Sequence, residues 1–455
     1  MKIQKREAQA ILQSLTAGVT PRIGLRHIVV GRLAEIEAMT QDFANIRAGG
    51  AAVRFIIGSF GSGKSFFLQL ARTHAMEGKF VVANADLSPE RRLHGSGDQA
   101  VALYRELMKN LSTQVRPDGN ALPAIIEKWL SNVQAQVTTK QGIDSNSAEF
   151  NRAVQTEVMS TLSNMKELVH GFDFAQVING YYRGYFSGND ALKSDALRWL
   201  RGEINTKTEA KKTLEVNSII DDSNWYDYLK AFACFVNAVG YAGLLVNIDE
   251  AVNLFKISHS GSRNSNYEQL LKIFNDCMQG GAAYIGFIFA GTSDFIDDQR
   301  RGLFSYEALR TRLSSSRFEQ NGLRDLTSPV LRLPPLTAEE VFVLLSKLRD
   351  LHRDHTPNSR PLDDQALQVF LEAELRRIGA AQFSTPRELI RNFLTLSNLL
   401  TQNRDKEWQE IIGELPPAIS EPEPSFDDDV EMANHAEARF APVSDPFDRF
   451  VDFKA

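Results

Sequence analysis

Four apolar runs along the chain predict buried β-strands. They lie within AVRFIIG, KFVVANADLS, YAGLLVNIDEAVNLF and AYIGFIFAGTSDF. Runs that are apolar at nearly every position are typical of a parallel sheet with helices on both faces, because neither face of such a strand meets water. Segments with helical periodicity separate the runs. The pattern therefore predicts an α/β fold with an open parallel sheet.

Helical periodicity dominates three further regions. Residues 1–50 predict helices around a turn, an insertion at about 98–230 follows the second strand, and residues 336–405 predict a C-terminal helical lid. The α/β domain is therefore expected at 51–335, with the insertion inside it. Residues 406–455 are rich in proline and acidic side chains. We expect most of this tail to be disordered, because it cannot pack an apolar core.

Composition narrows the class of protein. The chain has 455 residues, of which 43% are hydrophobic and 24% charged, as in ordinary folded proteins. Only Cys234 and Cys277 are present, so no disulfide framework is indicated and a reducing, cytoplasmic location is expected. The N-terminus lacks the apolar core of a signal peptide, and no apolar run approaches the ~20 residues that span a bilayer. We therefore expect no membrane association.

The formal net charge of −6 argues against general affinity for nucleic acid. Residues 421–455 carry ten acidic and three basic side chains, so the rest of the chain is close to neutral. A local basic groove on the folded part is compatible with this distribution.

The loop after the first strand carries the most specific motif. Its sequence GSFGSGKS fits G-x-x-x-x-G-K-[ST], in which backbone N–H groups and the start of the next helix cradle phosphates. Lys64 is predicted to reach the β- and γ-phosphates, and the Ser65 hydroxyl to ligate Mg²⁺. The motif predicts a P-loop NTPase that binds ATP and Mg²⁺. The predicted nucleotide-binding residues of this loop are Gly58, Ser59, Phe60, Gly61, Ser62, Gly63, Lys64, Ser65 and Phe66.

An acidic pair at the end of the third run is the next candidate. An apolar strand delivers Asp249 and Glu250 to the carboxyl edge of the sheet, where open α/β folds bind ligands. Asp249 is predicted to hold Mg²⁺ through its water shell, and Glu250 to orient or deprotonate the attacking water. An aspartate alone would support binding, whereas the adjacent glutamate indicates turnover. A strand that simply ends in a charged turn is the alternative.

The fourth run ends in the polar residues GTSD. Thr292 is predicted to lie between the phosphate loop and the acidic pair, where it can touch the γ-phosphate or the attacking water. Ser293 is the second choice for this role. The alternative is an ordinary strand end without a catalytic function.

In this order the motifs resemble those of the AAA+ ATPases, in particular the initiator and origin-recognition branch. The segment HIVVGRLAEIEAM resembles the adenine-side segment of that family. The resemblance implies that Arg32 lies near the nucleotide and that the base is lined by His27, Ile28, Val29 and Val30. It also implies assembly of several copies of the chain into a ring or an arc.

The same resemblance implies two arginines that act on the γ-phosphate. STPRELIRNF resembles the second sensor of the family, which places this role on Arg387. The segment DDQRRGLFSYEALRTRLSSSRF follows the fourth strand, where AAA+ proteins carry an arginine that reaches a neighbouring subunit. Arg312 is the first choice for this arginine finger and Arg301 the second, with Arg310 on another face of the same short helix. Solvated surface cations are the alternative for each.

A closer resemblance is to the DUF2791 group of P-loop proteins, which includes the BrxD-like ATP-binding proteins of BREX phage-defence systems. It is carried by RIGLRHIVVGR, GSFGSGKSFFL, DLSPERRLHG and DDQRRGLFSYEALRTRL, within residues 22–405. This resemblance implies a function in prokaryotic antiviral defence. It assigns no role to the helical insertion or to the acidic tail.

Two functions are compatible with these features. The first is an AAA+ ATPase that hydrolyses ATP at subunit interfaces and couples the cycle to conformational change or to loading of a partner or DNA. The second is a slow, ATP-gated scaffold that recruits an effector through its tail. There Phe447, Phe450 and Phe453 recur every third residue within an acidic context, as on one face of a docking helix. Glu250 favours the enzyme.

A basic segment in the insertion is a candidate DNA contact. RWLRGEINTKTEAKK contains Trp199 among five cations: Arg198, Arg201, Lys207, Lys211 and Lys212. Phosphate contacts of this kind would make binding steeply salt-dependent. A solvated helix face is the ordinary explanation.

Overall fold

The computed structural model describes residues 3–143, 147–165, 170–315, 324–377 and 385–413. At its centre lies a sheet of five strands in the order β2-β3-β4-β1-β5. Every neighbouring pair runs parallel. The strands are β1 Ala51–Ile57, β2 Val81–Asp86, β3 Leu244–Asp249, β4 Ile285–Gly291 and β5 Val330–Arg332. The predicted α/β fold of the P-loop NTPase class is confirmed.

The first four strands coincide with the four apolar runs, whereas β5 is not predicted from the sequence. It has only three residues and lies at the edge of the sheet, between Pro329 and Pro334. Proline cannot donate to a ladder, so it is confined to strand ends and edges. A strand this short therefore has no clear pattern of its own.

Helices cover both faces of the sheet and fill the insertion and the C-terminal part. In chain order they are α1 Lys5–Thr16, α2 Leu33–Arg47, α3 Lys64–Glu77, α4 Gln99–Lys109, α5 Leu122–Gln141, α6 Ala148–Met165, α7 Gly171–Ser187, α8 Asp190–Leu200, α9 Lys207–Leu214, α10 Trp225–Ala238, α11 Val252–Phe255, α12 Ser260–Gln279, α13 Ser293–Asp297, α14 Glu307–Leu313, α15 Ala338–His355, α16 Asp364–Arg377, α17 Pro386–Gln402 and α18 Trp408–Gly413. Short 3₁₀ turns lie at Leu25–His27 and Leu303–Ser305. None of the described helices combines the length and the apolar character that crossing a membrane requires.

Alternate residues of each strand face opposite sides, and each side has its own apolar core. On one side, Val81 and Ala83 of β2 pack with the insertion helices, whose Trp129, Trp199 and Trp225 are almost fully buried. The other side packs against α2 and α3. The insertion is therefore continuous with the core of the sheet on one face.

A third apolar cluster joins the two ends of the described chain. Ile11 and Leu15 of α1 pack with Leu345 of α15 and Phe393 of α17. Capping residues define these C-terminal helices: Thr337 forms a capping box with Glu340 at the start of α15, and the Thr385 hydroxyl caps α17. The sequence does not predict that α1 packs with the lid. The predicted domain boundaries stay a prediction.

The third cluster includes Ile28 and Val30 as well as Leu336, whereas Leu333 belongs to the core under α2 and α3. Within the described residues, the chain therefore passes between the lid cluster and the sheet at residues 31–32 and 334–335.

We expect Ile11→Ala to lower the free energy of unfolding by about 2–5 kcal/mol, because Ile11 is fully buried in the lid cluster. Gln9→Ala is the control, since Gln9 is exposed on the same helix. Urea unfolding followed by circular dichroism measures both variants. Equal losses for the two would contradict the packing of α1 on the lid.

Candidate nucleotide-binding site

The loop after β1 is a tight turn that needs glycine. Gly61 and Gly63 have left-handed φ angles of +72° and +98°, and α3 begins at Lys64. A Cβ atom on Gly61 would lie 2.4 Å from Cβ of Thr385, the cap of α17. The loop is therefore in direct contact with the lid.

The Lys64 side chain lies along this loop. Its Nζ donates hydrogen bonds to the carbonyl oxygens of Gly58 (2.9 Å) and Ser59 (2.8 Å). Partial burial lowers the pKa of Lys64, while the carboxylates of Asp249 and Glu250 oppose that shift. The amine therefore lies on the phosphate loop and near the acidic pair, and its contact with the phosphates stays a prediction.

Asp249 is fixed by two hydrogen bonds. The Ser65 hydroxyl donates to its Oδ2 atom and the backbone N–H of Glu250 donates to its Oδ1 atom, both at 2.8 Å. The two residues predicted to bind Mg²⁺, Ser65 and Asp249, are thus in contact although 184 positions separate them in sequence.

Glu250 has a left-handed φ of +55°, which is uncommon for a residue with a side chain. Partial burial raises its pKa, and the nearby Asp249 and Asp86 carboxylates raise it further. Glu250 and Asp249 both line the cavity beside the phosphate loop. Glu250 is exposed at the strand end, so the features that set it apart are its left-handed backbone and its position on the cavity wall.

Thr292 lies at the end of β4, and β4 lies between β1 and β3 in the sheet. Its side chain is buried, with 5% of its surface exposed, and lines the same cavity. The Thr292 Oγ1 atom has no hydrogen-bond partner within the described part of the chain. A buried hydroxyl without a partner is costly, and a ligand in the cavity can supply the missing bond. Ser293, the second choice, is exposed at the start of α13.

The cavity extends from the phosphate loop to the lid. Phe60 to Phe66 line it, whereas Gly58 and Ser59 lie outside its wall. Ile28 and Val30 line the opposite side, together with Val19, just after the end of α1, and Ile390 of α17. The sequence did not indicate the contribution from the end of α1. Apolar side chains on this side suit the flat face of a nucleotide base.

Two residues of the predicted base wall lie elsewhere. His27 is paired with Glu7 of α1 at 3.4 Å, and the carbonyl of Val29 accepts a hydrogen bond from Lys347 of the lid at 2.7 Å. Neither His27 nor Val29 lines the cavity. Ile28 and Val30 thus belong to the lid cluster and also line the cavity, whereas His27 and Val29 contact α1 and α15 outside it.

Arg32 and Arg387 both line the cavity, as the resemblance implies. Arg387 is the second residue of α17, and its charge contributes to the lowered pKa of Lys64. Arg32 has a left-handed φ of +66°, and its guanidinium lies 3.5 Å from the Ser62 carbonyl. Partial burial lowers the pKa of Arg32. Three cations from separate segments therefore surround the loop.

The candidate finger arginines lie outside this cavity. Arg312 is exposed on α14 and donates hydrogen bonds to the Asn275 side chain (3.2 Å) and the Ala308 carbonyl (2.7 Å). Arg301 is half-buried, 5.4 Å above the Phe255 ring, and donates to the Lys256 carbonyl. Both arginines are bonded within their own chain, but Arg301 is the more buried of the two, which argues against it as the finger.

The basic segment proposed to contact DNA does not expose its aromatic residue. Trp199 is buried in the core, where its indole N–H donates to the Ser218 carbonyl at 2.9 Å, so it cannot stack on bases. Arg198 is paired with Asp195 and Glu209. Three exposed lysines of α9 remain candidates for phosphate contacts: Lys207, Lys211 and Lys212. The aromatic residues of the tail lie outside the described residues.

The geometry fits a nucleoside triphosphate with a cation. Within the described residues, no group of three or more His, Cys, Asp or Glu side chains could hold a metal ion by itself. Mg²⁺ at nucleotide sites is bound by one or two protein oxygens together with phosphates and waters. The Ser65–Asp249 pair has this composition.

We expect Gly61→Ala to lower ATP affinity by about tenfold or more. Alanine in the left-handed region costs about 1–2 kcal/mol, and the added methyl meets Thr385. Gly97→Ala is the control, because Gly97 has open space around it. Titration with a fluorescent ATP analogue measures both variants, and equal affinities would contradict this loop geometry.

Comparison with known proteins agrees with the site. The sequence pattern of the family described as "BREX system ATP-binding protein BrxC/D" matches residues 3–415. No curated protein sequence matches the chain. The family match includes the phosphate loop, the acidic pair and the lid. The chain therefore belongs to the BrxC/D family of BREX system ATP-binding proteins.

Proposed function

We propose that this protein is an AAA+ ATPase that hydrolyses ATP with Mg²⁺ at interfaces between copies of the chain. The cycle would drive conformational change, or loading of a partner or DNA, in antiviral defence. One observation carries the proposal. The phosphate loop, the Asp249–Glu250 pair and the unpartnered hydroxyl of Thr292 line one cavity at the carboxyl edge of the sheet.

The binding part of this function rests on the loop and its cations. Backbone N–H groups of the loop and the N-terminus of α3 favour phosphate, and Lys64 adds a positive charge beside them. Ser65 and Asp249 would hold Mg²⁺, which supplies charge neutralisation of the phosphates when it is bound.

The hydrolytic part rests on Glu250. A general base works best when its pKa is near the working pH, and burial together with two carboxylates moves the pKa of Glu250 in that direction. We assign Glu250 the role of orienting the attacking water and accepting its proton. Thr292 would donate its unsatisfied hydroxyl to the water or the γ-phosphate, since it lies between the loop and the acidic pair.

The proposed role of the lid in the ATPase cycle depends on helix α17. Its first turn contacts Gly61 through Thr385 and presents Arg387 to the cavity. A guanidinium in this position can contact the γ-phosphate, so the lid would respond to the difference between ATP and ADP. The exposed Arg312 is outside the cavity of its own chain and is therefore available to a neighbouring copy.

We expect Glu250→Gln to bind ATP with nearly native affinity and to lose turnover by about 10²–10⁴-fold, because the amide cannot accept the proton. Glu268→Gln, an exposed change on α12, is the matched control. Phosphate release and ATP binding are measured in parallel. Native turnover as low as that of the variant would instead support a slow scaffold.

We expect Arg312→Ala to lower turnover by about 10³-fold or more if this arginine completes the site of a neighbouring copy. Mixing it with Glu250→Gln should restore activity, because mixed interfaces combine an intact Glu250 with an intact Arg312. Arg116→Ala is an exposed control. A mixture no more active than its components would count against the arrangement in trans.

A further inference from the structure

The ends of β2 and β3 carry the same pattern. β2 ends in Asn84-Ala-Asp86 and β3 ends in Asn247-Ile-Asp249. The two patterns are in register, with Asn84 beside Asn247 and Asp86 beside Asp249. A second strand-end aspartate therefore lies beside Asp249, outside the wall of the cavity.

These paired residues face α3. Two positions earlier on each strand, Val82 and Leu245 pack against Phe67 of α3. Side chains alternate along a strand, so the asparagine and aspartate pairs point to the same side. That is the side on which Ser65 contacts Asp249. Neighbouring strands lie about 4.8 Å apart, which brings the two carboxylates close together.

Hydrogen bonds hold the two strand ends together. Asn247 donates from its side chain to the Asn84 side chain at 2.9 Å, and the Leu87 N–H donates to the Asp249 carbonyl at 3.0 Å. Asn253 donates to the Leu87 carbonyl at 2.8 Å. The backbone on both sides of Asp86 is thus fixed beside the acidic pair, so its position is not an accident of a loose turn.

The two aspartates differ in their partners. Both carboxylate oxygens of Asp249 accept hydrogen bonds, whereas the Asp86 carboxylate accepts none from the residues that the structure describes. Side-by-side carboxylates repel each other, and the Arg91 cation that opposes the raised pKa of Asp86 is paired with Glu106 at 3.7 Å. The buried, unpartnered Thr292 hydroxyl shows independently that this edge of the sheet has bonds left for a ligand.

We propose that Asp86 is a positioning residue for the nucleotide's Mg²⁺ and accepts a hydrogen bond from a water ligand of the ion. This proposal rests on the proposed function. Asp86 lies one strand beyond Asp249 from the phosphate loop and does not line the cavity, so it would reach the ion through a water ligand and not directly. Mg²⁺ keeps several waters at such sites, and these waters need acceptors.

The experiment measures how nucleotide affinity depends on Mg²⁺. A fluorescent ATP analogue is titrated with MgCl₂ for the native protein, Asp86→Asn and Asp86→Glu, and its affinity is also measured in EDTA. Outer-sphere partners of a metal typically change its affinity by about 10–100-fold, so Asp86→Asn should raise the half-saturating Mg²⁺ concentration at least tenfold. Affinity in EDTA should be unchanged, and Asp86→Glu should recover part of the loss.

Two further variants separate the possible results. Ser65→Ala should shift the Mg²⁺ dependence, and Asp405→Asn, an exposed aspartate of the C-terminal part, should not. A shift for Ser65→Ala together with a native midpoint for Asp86→Asn would overturn the Asp86 proposal alone. Lower affinity of Asp86→Asn in EDTA would also overturn it, since that result indicates a structural role. Native binding that ignores Mg²⁺ would overturn the proposed function and the Asp86 proposal together.

Discussion

The hydrogen bond from Ser65 to Asp249 is the contact on which the rest of the site depends. It joins the start of α3 to the end of β3, although β4 separates β1 from β3 in the sheet. In an all-parallel sheet every strand ends at the same edge, so segments far apart in sequence present their polar ends together. The strand order then decides which ends meet, and here it places Thr292 between the phosphate loop and the acidic pair.

The ionisable side chains in and beside the cavity have pKa values that are shifted in both directions. Lys64 and Arg32 have lowered pKa values because burial disfavours their charged forms. Glu250 and Asp86 have raised pKa values, again with burial as the first cause. An anionic ligand alone would compensate the charges of Lys64 and Arg32. A free cation alone would compensate the two carboxylates. A nucleoside triphosphate with its cation, as proposed above, would compensate both pairs.

Local motifs were readable from the sequence because their residues act within one loop or one strand end. The phosphate loop and the four long strands belong to this group. Contacts between distant segments could not be predicted from the sequence. Helix α1 packs with helices more than 300 residues away, and Asp86 is placed beside Asp249 by the register of β2 on β3. Trp199 shows the reverse case, since a tryptophan among cations looks exposed in sequence and is buried in the fold.

The finger arginine, the oligomer and the DNA contacts depend on partners that a single chain does not contain. For these, the structure narrows the candidates by showing which cations are already engaged. Arg301 and Arg198 are partly buried and have partners within the chain, whereas Arg312 and the lysines of α9 are exposed, although Arg312 also bonds to Asn275 and Ala308.

The two crossings between the lid cluster and the sheet differ in the conformation of their backbone. One is Gly31-Arg32, with both residues in the left-handed region, and the other is Pro334-Pro335, whose rings fix φ. The first crossing lies against the start of α15, because a Cβ on Gly31 would come within 2.6 Å of the Glu340 carboxylate. We infer that these two crossings are where the lid cluster can move relative to the sheet. In the proposed ATPase cycle, α1 and the lid would then move together, because they share one apolar cluster.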